Sequence, residues 1–230
     1  MNLSGKKIVI TGAFGTLGAA VTSAARAAGA SVACIDFAPA SKAPSSCSGC
    51  VVLGEVDLAS PTAAAAAFQS AAQGLAGLDG VINIAGGFRW EKVENGDLGT
   101  WDLLFNVNVR TAVNAIRAAL PLLKRNGGRI VNIGAAGAMK AGSGMGAYAA
   151  SKAGVAKLTE ALADELKDGG TTVNAILPSI IDTPVNRADM PDADFDRWVK
   201  AEQVADLIVF LLSDRASAIT GALIPITGRV

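Results

Sequence analysis

The stretch KIVITGAFGTLG, residues 7–18, joins a short apolar run to a glycine-rich turn and decides the fold of this chain. Its apolar start predicts a buried strand, and the residues from Thr16 onward predict a helix. Glycines between a strand and a helix allow a tight turn and a close approach of the backbone to a phosphate group. The stretch therefore predicts a nucleotide-binding loop, with a glycine-rich turn that binds nothing as the structural alternative.

An acidic residue, Asp36, ends the next apolar run and favours the first interpretation. A carboxylate at this place can accept hydrogen bonds from the adenosine ribose and would repel a 2′-phosphate. No lysine or arginine adjoins it, because Phe37, Ala38 and Pro39 follow. The sequence predicts NAD as the cofactor, with NADH preferred over NADPH.

The rest of the chain repeats this alternation of short apolar runs and alanine-rich helical stretches. Strands are predicted at residues 7–11, 31–36, 51–56, 80–84, 129–133, 172–177 and 222–226. Helices are predicted at residues 16–28, 61–75, 100–124, 146–167 and 202–213. Because the runs are continuously apolar, both faces of the sheet should be covered. We predict an α/β fold of the Rossmann type, in which a doubly wound, seven-stranded parallel sheet carries helices on both faces of a single domain, residues 1–230.

Composition limits the classes of function that fit. A chain of 230 residues with 51% hydrophobic and 17% charged residues suits one domain with a substantial core. Twenty basic residues balance twenty acidic ones without a basic run, so neither nucleic acid nor an anionic membrane is expected as a partner. The N-terminus resembles neither a signal nor a transit peptide, and no apolar run approaches the ~20 residues that span a bilayer. We expect a cytoplasmic protein that acts on a small molecule.

The three cysteines are expected to be reduced thiols, because no secretion signal accompanies them. Cys47 and Cys50 have the CxxC spacing, but a second such pair and histidines are missing, so we predict no metal site. Cys34 lies in a predicted strand and is expected to fill space in the core.

Tyr148 is the only tyrosine in the chain, and it stands four positions before Lys152 in the predicted helix at residues 146–167. The chain has no histidine, so a proton that moves near neutral pH must use another group. Positions i and i+4 share a helix face, and the nearby ammonium is expected to lower the tyrosine pKa from its usual value of about 10. A buried tyrosine with an unrelated lysine at this spacing is the alternative.

Together, the glycine loop, Asp36 and the Tyr148/Lys152 pair resemble the short-chain dehydrogenase/reductase family, over essentially the whole chain. The resemblance implies a nicotinamide-dependent oxidoreductase in which Tyr148 transfers the proton, Lys152 holds the cofactor ribose and lowers the tyrosine pKa, and Asn108 anchors a water of the proton relay. It also implies cofactor contacts at Gly12, Phe14, Gly15, Thr16, Leu17, Gly18, Asp57, Leu58, Asn83, Ala85, Gly86, Pro178, Ile180, Ile181 and Thr183.

The chain departs from the family pattern at four places. Thr16 takes the middle glycine position of the loop, Ile84 replaces the second asparagine of an Asn-Asn-Ala-Gly segment, and Ser179 replaces a glycine. The family's catalytic serine, thirteen positions before the tyrosine, is Ala135 here, and Ser143 is expected to be a surface hydroxyl. Either the substrate is already electron-poor at the carbon that accepts hydride, or the chain binds nucleotide without catalysis.

A resemblance to the dihydropteridine reductases, a group within this family that lacks the serine, favours the first explanation. It rests on AGG at residues 85–87 and on DTPVNR at residues 182–187. It implies a substrate such as quinonoid dihydropteridine. The alternatives are a carbonyl reductase or secondary alcohol dehydrogenase, a catalytically silent NAD(H)-binding protein, and a structural module without a cofactor.

Three irregular stretches, at residues 37–49, 86–99 and 182–200, complete the prediction. The first is expected to be a surface loop, and the other two are long enough to form site walls or a lid. Side chains that flank the motifs and could line a substrate pocket are Phe88, Trp90, Met139, Met145, Asn186 and Trp198.

The helices at residues 100–124 and 146–167 resemble the pair through which this family commonly dimerises. The second is expected to expose small residues that permit close helix approach: Ala149, Ala150, Ala153 and Gly154. We therefore expect a homodimer or a homotetramer.

Overall fold

The fold is built on a parallel sheet of seven strands, seen in a computed structural model that describes residues 1–123 and 127–230. The strands are β1 Lys7–Thr11, β2 Ser31–Ile35, β3 Val51–Leu53, β4 Gly80–Asn83, β5 Arg129–Ile133, β6 Thr172–Pro178 and β7 Leu223–Ile226. Their spatial order is β3-β2-β1-β4-β5-β6-β7, so the winding reverses between β1 and β4. The predicted doubly wound, seven-stranded parallel sheet is confirmed.

Helices cover both faces of the sheet through two hydrophobic clusters. One cluster contains residues of α1 Thr16–Ala27 and α7 Ala201–Leu212. The other contains residues of α2 Pro61–Leu75, α4 Thr111–Ala119 and α5 Gly146–Leu166. Side chains alternate along each strand, so β1 sends Ile8 and Ile10 to the first cluster and Val9 to the second.

The predicted helix at residues 100–124 is three elements rather than one. Helix α3 spans Leu98–Phe105, a π turn spans Asn106–Arg110, and α4 ends at Ala119. The predicted end, Lys124, lies outside the described residues.

Local chemistry explains the helix ends that the structure describes. The Asp97 carboxylate accepts the N–H of Gly99 at 2.8 Å, which caps α3 two residues before the predicted start. Pro121, just beyond α4, has no N–H to donate to a helical carbonyl.

The strand at residues 51–56 is shorter than predicted and ends at Leu53. Gly54 approaches the backbone of Ala40 so closely that a Cβ atom would collide there, and Glu55 has a φ of 58°. The chain therefore turns away from the sheet. The other strand ends, and the ends of α1, α2, α5 and α7, differ from the prediction by at most one residue.

The segment at residues 37–49 is anchored to the core rather than being a simple surface loop. It contains two short 3₁₀ helices, Ala40–Lys42 and Ser45–Cys47, and the side chain of Cys47 is buried in the same cluster as Cys34. The cysteines are free thiols. Burial raises the pKa of Cys34 and of Cys50, so both thiols stay protonated and weakly reactive at neutral pH.

The predicted lid at residues 182–200 contains a helix of its own, α6 Pro184–Asp189. The Thr183 hydroxyl accepts the N–H of Asn186 at 3.1 Å, and Pro184 occupies the first helical position. In the described part of the chain, no helix is long and apolar enough to cross a membrane.

The prediction that α5 exposes a set of small residues is wrong at Ala149, and Gly154 already faces a neighbour within the chain. Ala149 is buried, and a Cβ at Gly154 would lie 3.1 Å from Val109 of the same chain. Gly154 therefore packs α5 against the π turn of the same chain. Ala150 is exposed, and Ala153 is half-buried.

Candidate active site

The glycine loop after β1 has two glycines that the fold requires and one that it does not. Gly12 has a φ of +66°, and a Cβ there would lie 2.7 Å from the backbone nitrogen of Ala85. A Cβ at Gly18 would collide with the carbonyl oxygen of Gly12. At Gly15, the nearest atom to a Cβ would be 3.7 Å away, so this glycine leaves space above the loop that a ligand can use.

The N-terminus of α1 is open beside this space. Gly15 is the N-cap and offers no side-chain cap, and the first turn contains no acidic residue. The N–H groups in the first turn of a helix have no intrahelical partner and form the positive end of the helix dipole. Leu17 is buried and Thr16 is exposed, so the backbone N–H groups and the Thr16 side chain are what an anion would meet. This end of α1 fits a pyrophosphate group.

Asp36 lies behind the glycine loop, directly after β2. One carboxylate oxygen accepts the N–H of Phe14 at 2.9 Å, and the other accepts the N–H of Ala38 at 3.0 Å. These bonds fix the carboxylate and the loop to each other. Because an ionised carboxylate has about four lone-pair sites, each oxygen still has capacity to accept a ribose hydroxyl.

The turn after β3 contains the predicted cofactor contacts Asp57 and Leu58. The Asp57 carboxylate is exposed and accepts the N–H of Ala59 at 2.9 Å, whereas the Leu58 side chain is buried in the core. The side chain of Asn114 donates to the carbonyls of Leu58 and Ala59, both at 3.0 Å. Asn114 thus holds this turn from α4, a role that its helical position in the sequence did not indicate.

Asn83, at the end of β4, is buried rather than exposed to the loop. Its Nδ2 donates to Oδ1 of Asn132 at 2.9 Å, and Nδ2 of Asn132 donates to the Thr159 hydroxyl at 2.9 Å. This chain of amides lies between the sheet and α5, so a cofactor contact of the Asn83 side chain stays a prediction. Beyond it, the N–H of Ala85 donates to the Thr11 hydroxyl at 3.3 Å, and Gly86 is exposed at the edge of the sheet.

Tyr148 and Lys152 lie one turn apart in the first half of α5, and burial governs both of their pKa values. Burial of the phenol raises the pKa of Tyr148 to about 12. Burial of the ammonium lowers the pKa of Lys152 to about 8, and its Nζ donates to the carbonyl of Ile133 at 2.8 Å. The expected lowering of the tyrosine pKa is therefore not seen in this structure, in which desolvation of the phenol raises it.

Asn108 is directed inward by the π turn, and its amide pairs with the backbone of the loop after β4. Oδ1 of Asn108 accepts the N–H of Gly87 at 2.9 Å, and Nδ2 donates to the carbonyl of Gly87 at 3.0 Å. Nδ2 also donates to the hydroxyl of Ser151 at 2.9 Å, which in turn donates to the carbonyl of Tyr148 at 2.7 Å. Asn108 and Ser151 thus connect α5 to the Gly87 loop, and Ser151 was missed from the sequence.

The position of the family serine carries no hydroxyl. Ala135 follows β5 in an extended conformation, and its methyl group is buried. Ser143 is exposed, as expected for a surface hydroxyl. Of Ala135, Ser143 and Tyr148, only Tyr148 therefore has a hydroxyl group that can act as the acid in this site.

The predicted substrate residues divide into those near Tyr148 and those in the lid. The Phe88 ring meets the Tyr148 ring edge to face, with centroids 4.9 Å apart and planes at 84°. Trp90 and Met139 are exposed, and Met145 is half-buried immediately before α5.

Two lid residues do not behave as a pocket wall. Trp198 is 4% exposed and packs against Phe195 with ring centroids 4.8 Å apart, so its prediction as a substrate contact is wrong for this structure. Asn186 donates its side-chain amide to the carbonyl of Ile181 at 2.8 Å, which ties α6 to the end of the sheet.

The segment after β6 is held by its own hydrogen bonds. The Ser179 hydroxyl donates to the carbonyl of Thr227 at 2.8 Å, which gives the serine at this glycine position a structural role. Ile180 accepts the N–H of Val199 at 3.1 Å, while Pro178 ends β6. The hydroxyl of Thr183 is the cap of α6, so its predicted cofactor contact stays a prediction.

Asp182 anchors the lid through two cations. Its carboxylate accepts Nε and Nη2 of Arg187 at 2.6 and 2.8 Å, and Nζ of Lys200 at 2.7 Å. These bonds hold the pKa of Asp182 well below its usual range. A cavity of about 420 Å³ lies between this cluster and Thr16, at the start of α1. The lid and the glycine loop therefore face each other across one space.

Known proteins match this chain over nearly its whole length. The family described as Enoyl-(Acyl carrier protein) reductase matches residues 12–228. D-beta-hydroxybutyrate dehydrogenase of Rhizobium meliloti (strain 1021) is 31% identical, over 97% of this chain and 97% of its own. 2-(S)-hydroxypropyl-CoM dehydrogenase 3 of Xanthobacter autotrophicus is 32% identical, over 98% of this chain and 96% of its own.

A solved structure gives the same match in three dimensions. A short chain dehydrogenase from Burkholderia cenocepacia J2315, in complex with NADP, is 34% identical and superposes with a TM-score of 0.91. The match covers 99% of this chain and 98% of that one. The motifs, the sheet order and these relatives agree, and the chain belongs to the short-chain dehydrogenase/reductase family.

Proposed function

We propose that this protein is an NAD(H)-dependent oxidoreductase that interconverts a carbonyl group and a secondary hydroxyl group. The observation that carries the proposal is the pair Tyr148 and Lys152 on α5, beside the loops that follow β4 and β5. The relatives named for hydroxybutyrate and hydroxypropyl-CoM, both of which contain a secondary hydroxyl group, support this class of substrate.

The residues around the glycine loop fit a dinucleotide. The backbone of α1 from Thr16 would hold the pyrophosphate, and Asp36 would hold the adenosine ribose. When bound, a nicotinamide cofactor supplies or accepts the hydride. Gly86 is exposed at this end of the site, and the absence of a side chain lets its backbone lie against Asn108, where a Cβ atom would collide.

Tyr148 would donate the proton to the substrate oxygen in reduction and accept it in oxidation. With a pKa of about 12, the phenol keeps its proton throughout the neutral range, which suits a proton donor. Lys152, with a pKa of about 8, is mostly protonated at pH 7 and would hold the cofactor ribose. Asn108 would keep the loop that carries Gly87 at a fixed distance from α5.

We propose NADH rather than NADPH because Asp36 is fixed where a 2′-phosphate would bring a second negative charge. The Burkholderia relative was solved with NADP, so the preference needs a direct test. Asp36→Asn keeps one carbonyl oxygen to accept a backbone N–H but removes the charge. The ratio of kcat/KM for NADH to kcat/KM for NADPH should fall about tenfold or more in this variant. A ratio that does not change would refute the role of the charge.

Quinonoid dihydropteridine reduction is the second candidate. It is favoured by the missing hydroxyl at Ala135 and by the lid sequence DTPVNR at residues 182–187, which Asp182 and Arg187 hold together. An electron-poor substrate needs less stabilisation of a developing negative charge on oxygen. This candidate comes second because the named relatives act on hydroxyl compounds.

A turnover assay separates the candidates. Oxidation of NADH would be followed with simple ketones, quinones and quinonoid dihydropterin, using the wild type and Tyr148→Phe. We expect turnover of ketones, its loss in Tyr148→Phe, and nearly unchanged NADH binding in that variant. Full turnover in Tyr148→Phe would contradict the mechanism, and NADH binding without turnover of any compound would identify a catalytically silent protein.

We also propose that the protein forms a homodimer or homotetramer through the α3–α4 and α5 region. Helix α3 leaves large apolar side chains exposed, among them Leu98, Trp101 and Phe105, which favours a partner surface. A second copy is the proposed occupant, and light scattering would give the mass. We place the protein in the cytoplasm, where Cys34, Cys47 and Cys50 would stay reduced.

A further inference from the structure

The loop between β4 and α3 carries two aromatic side chains to the start of α5. The Phe88 and Tyr148 rings meet edge to face, with their centroids 4.9 Å apart. Trp90 lies against Gly144, where a Cβ atom would collide with the indole, and the N–H of Glu91 donates to the carbonyl of Gly144 at 2.8 Å. The loop is therefore fastened to the turn that precedes Tyr148.

The backbone before Phe88 is also fixed from the other side. The amide of Asn108, which is 2% exposed, pairs with both the N–H and the carbonyl of Gly87. A buried two-point hydrogen bond of this kind sets the direction of the chain at the next residue. Phe88 is thus presented to Tyr148 by a backbone that is held at both ends.

The contact between Phe88 and Tyr148 is still open to a ligand. Although Phe88 touches the Tyr148 ring, 52% of it remains exposed. After β5, the family's hydroxyl is replaced by the buried methyl group of Ala135.

We infer that Phe88 is a specificity-determining residue and that the site takes ketones or secondary alcohols with an aromatic ring next to the reacting carbon. This inference rests on the proposed function and deepens it. The face of the Phe88 ring that Tyr148 does not cover can pack against a flat ring whose carbonyl oxygen reaches the phenol. A small aliphatic ketone would reach the same phenol without that contact.

Two substrates and three variants test the inference. Acetophenone and 2-butanone each have a methyl ketone, but only the first has an aromatic ring. Phe88→Ala removes the ring, Phe88→Leu keeps apolar bulk without it, and Phe37→Ala removes an exposed phenylalanine ring after β2, away from Tyr148.

We expect Phe88→Ala to lower kcat/KM for acetophenone about tenfold or more, mainly through KM, and to change the value for 2-butanone less than about threefold. Phe88→Leu should fall between the wild type and Phe88→Ala, and Phe37→Ala should leave the ratio of the two values unchanged. An equal loss for both ketones in Phe88→Ala would overturn the inference while leaving the proposed function intact.

Binding gives a readout that does not depend on turnover. Calorimetry with the NAD⁺-loaded protein, which has no hydride to give to a ketone, should show a Kd for acetophenone at least about tenfold lower than that for 2-butanone, with the advantage lost in Phe88→Ala. If the wild type binds the two ketones equally, the inference fails. If it binds acetophenone selectively but turns over neither ketone, the inference stands and the proposed activity fails.

Discussion

The pKa of Tyr148 can be measured directly, because this tyrosine is the only one in the chain. Phenolate absorbs near 295 nm, so the rise in absorbance with pH reports one residue, and Tyr148→Phe supplies the baseline from the tryptophans. Burial raises the pKa to about 12 from the model-compound value of 10.0. At pH 11, about one tenth of the molecules should carry phenolate, whereas an exposed tyrosine would be about nine tenths ionised.

Removing the Phe88 ring should expose the phenol and move its pKa back toward 10. At pH 11, the phenolate fraction in Phe88→Ala should rise severalfold over the wild type, while Phe37→Ala should match the wild type. Lys152→Met should leave the fraction low, because burial is the cause of the shift. Far-UV circular dichroism at the same pH would establish that each variant is folded.

The same shift makes a stability prediction whose sign is fixed. The unfolded chain releases the tyrosine proton near pH 10 and the folded chain near pH 12, so the folded state binds more protons between these values. Stability should therefore fall as pH rises through this window, by up to about 2.7 kcal/mol. If the Tyr148 phenol is mostly ionised at pH 11 in the folded wild type, the argument from burial is refuted.

Further predictions concern other groups of the site. Lys152 loses its proton near pH 8 in the folded protein and near pH 10.5 in the unfolded chain. Stability to urea should therefore rise between pH 8 and 10 in the wild type but not in Lys152→Met. At pH 7, Lys152→Met should be more stable by about 1–2 kcal/mol, since about 3 kcal/mol of desolvation cost is removed and one carbonyl loses its donor. Gly12→Ala should lower the melting temperature, whereas Gly15→Ala should keep it and weaken NADH binding measured by fluorescence. Ala135→Ser should raise kcat/KM for 2-butanone more than for quinonoid dihydropterin, and equal gains would contradict the account of the missing hydroxyl. Asp182→Asn should weaken NADH binding at every pH above about 4, because a carboxylate with a strongly lowered pKa is ionised throughout that range.

The strands of the sheet could be predicted from the sequence because their signal is local. A run such as KIVIT at residues 7–11 is apolar at successive positions, and this pattern alone predicts a strand that is covered on both faces. The glycine loop was equally local, since Gly12, Gly15 and Gly18 lie within seven residues between a strand and a helix.

The π turn and the environment of Tyr148 could not be predicted, because distant residues determine them. Residues 106–110 keep helical periodicity, and the extra residue in the turn is held by the pairing of Asn108 with Gly87. The spacing of Tyr148 and Lys152 indicated that they share a helix face. It could not reveal that a ring from the β4–α3 loop would lie against the phenol, or that burial would raise the pKa of Tyr148.

The π turn also keeps the two sides of this helical stretch in register. An i→i+5 turn takes up one residue more than an α turn, so α3 and α4 keep their buried faces although the chain between them holds an extra residue. Deleting one residue of Asn106–Arg110 should therefore restore regular α winding and leave the buried face of α4, with Ala112 and Ala115, in place. The cost of such a deletion should be local, because the turn that directs Asn108 to Gly87 would be lost and the β4–α3 loop would be held less firmly.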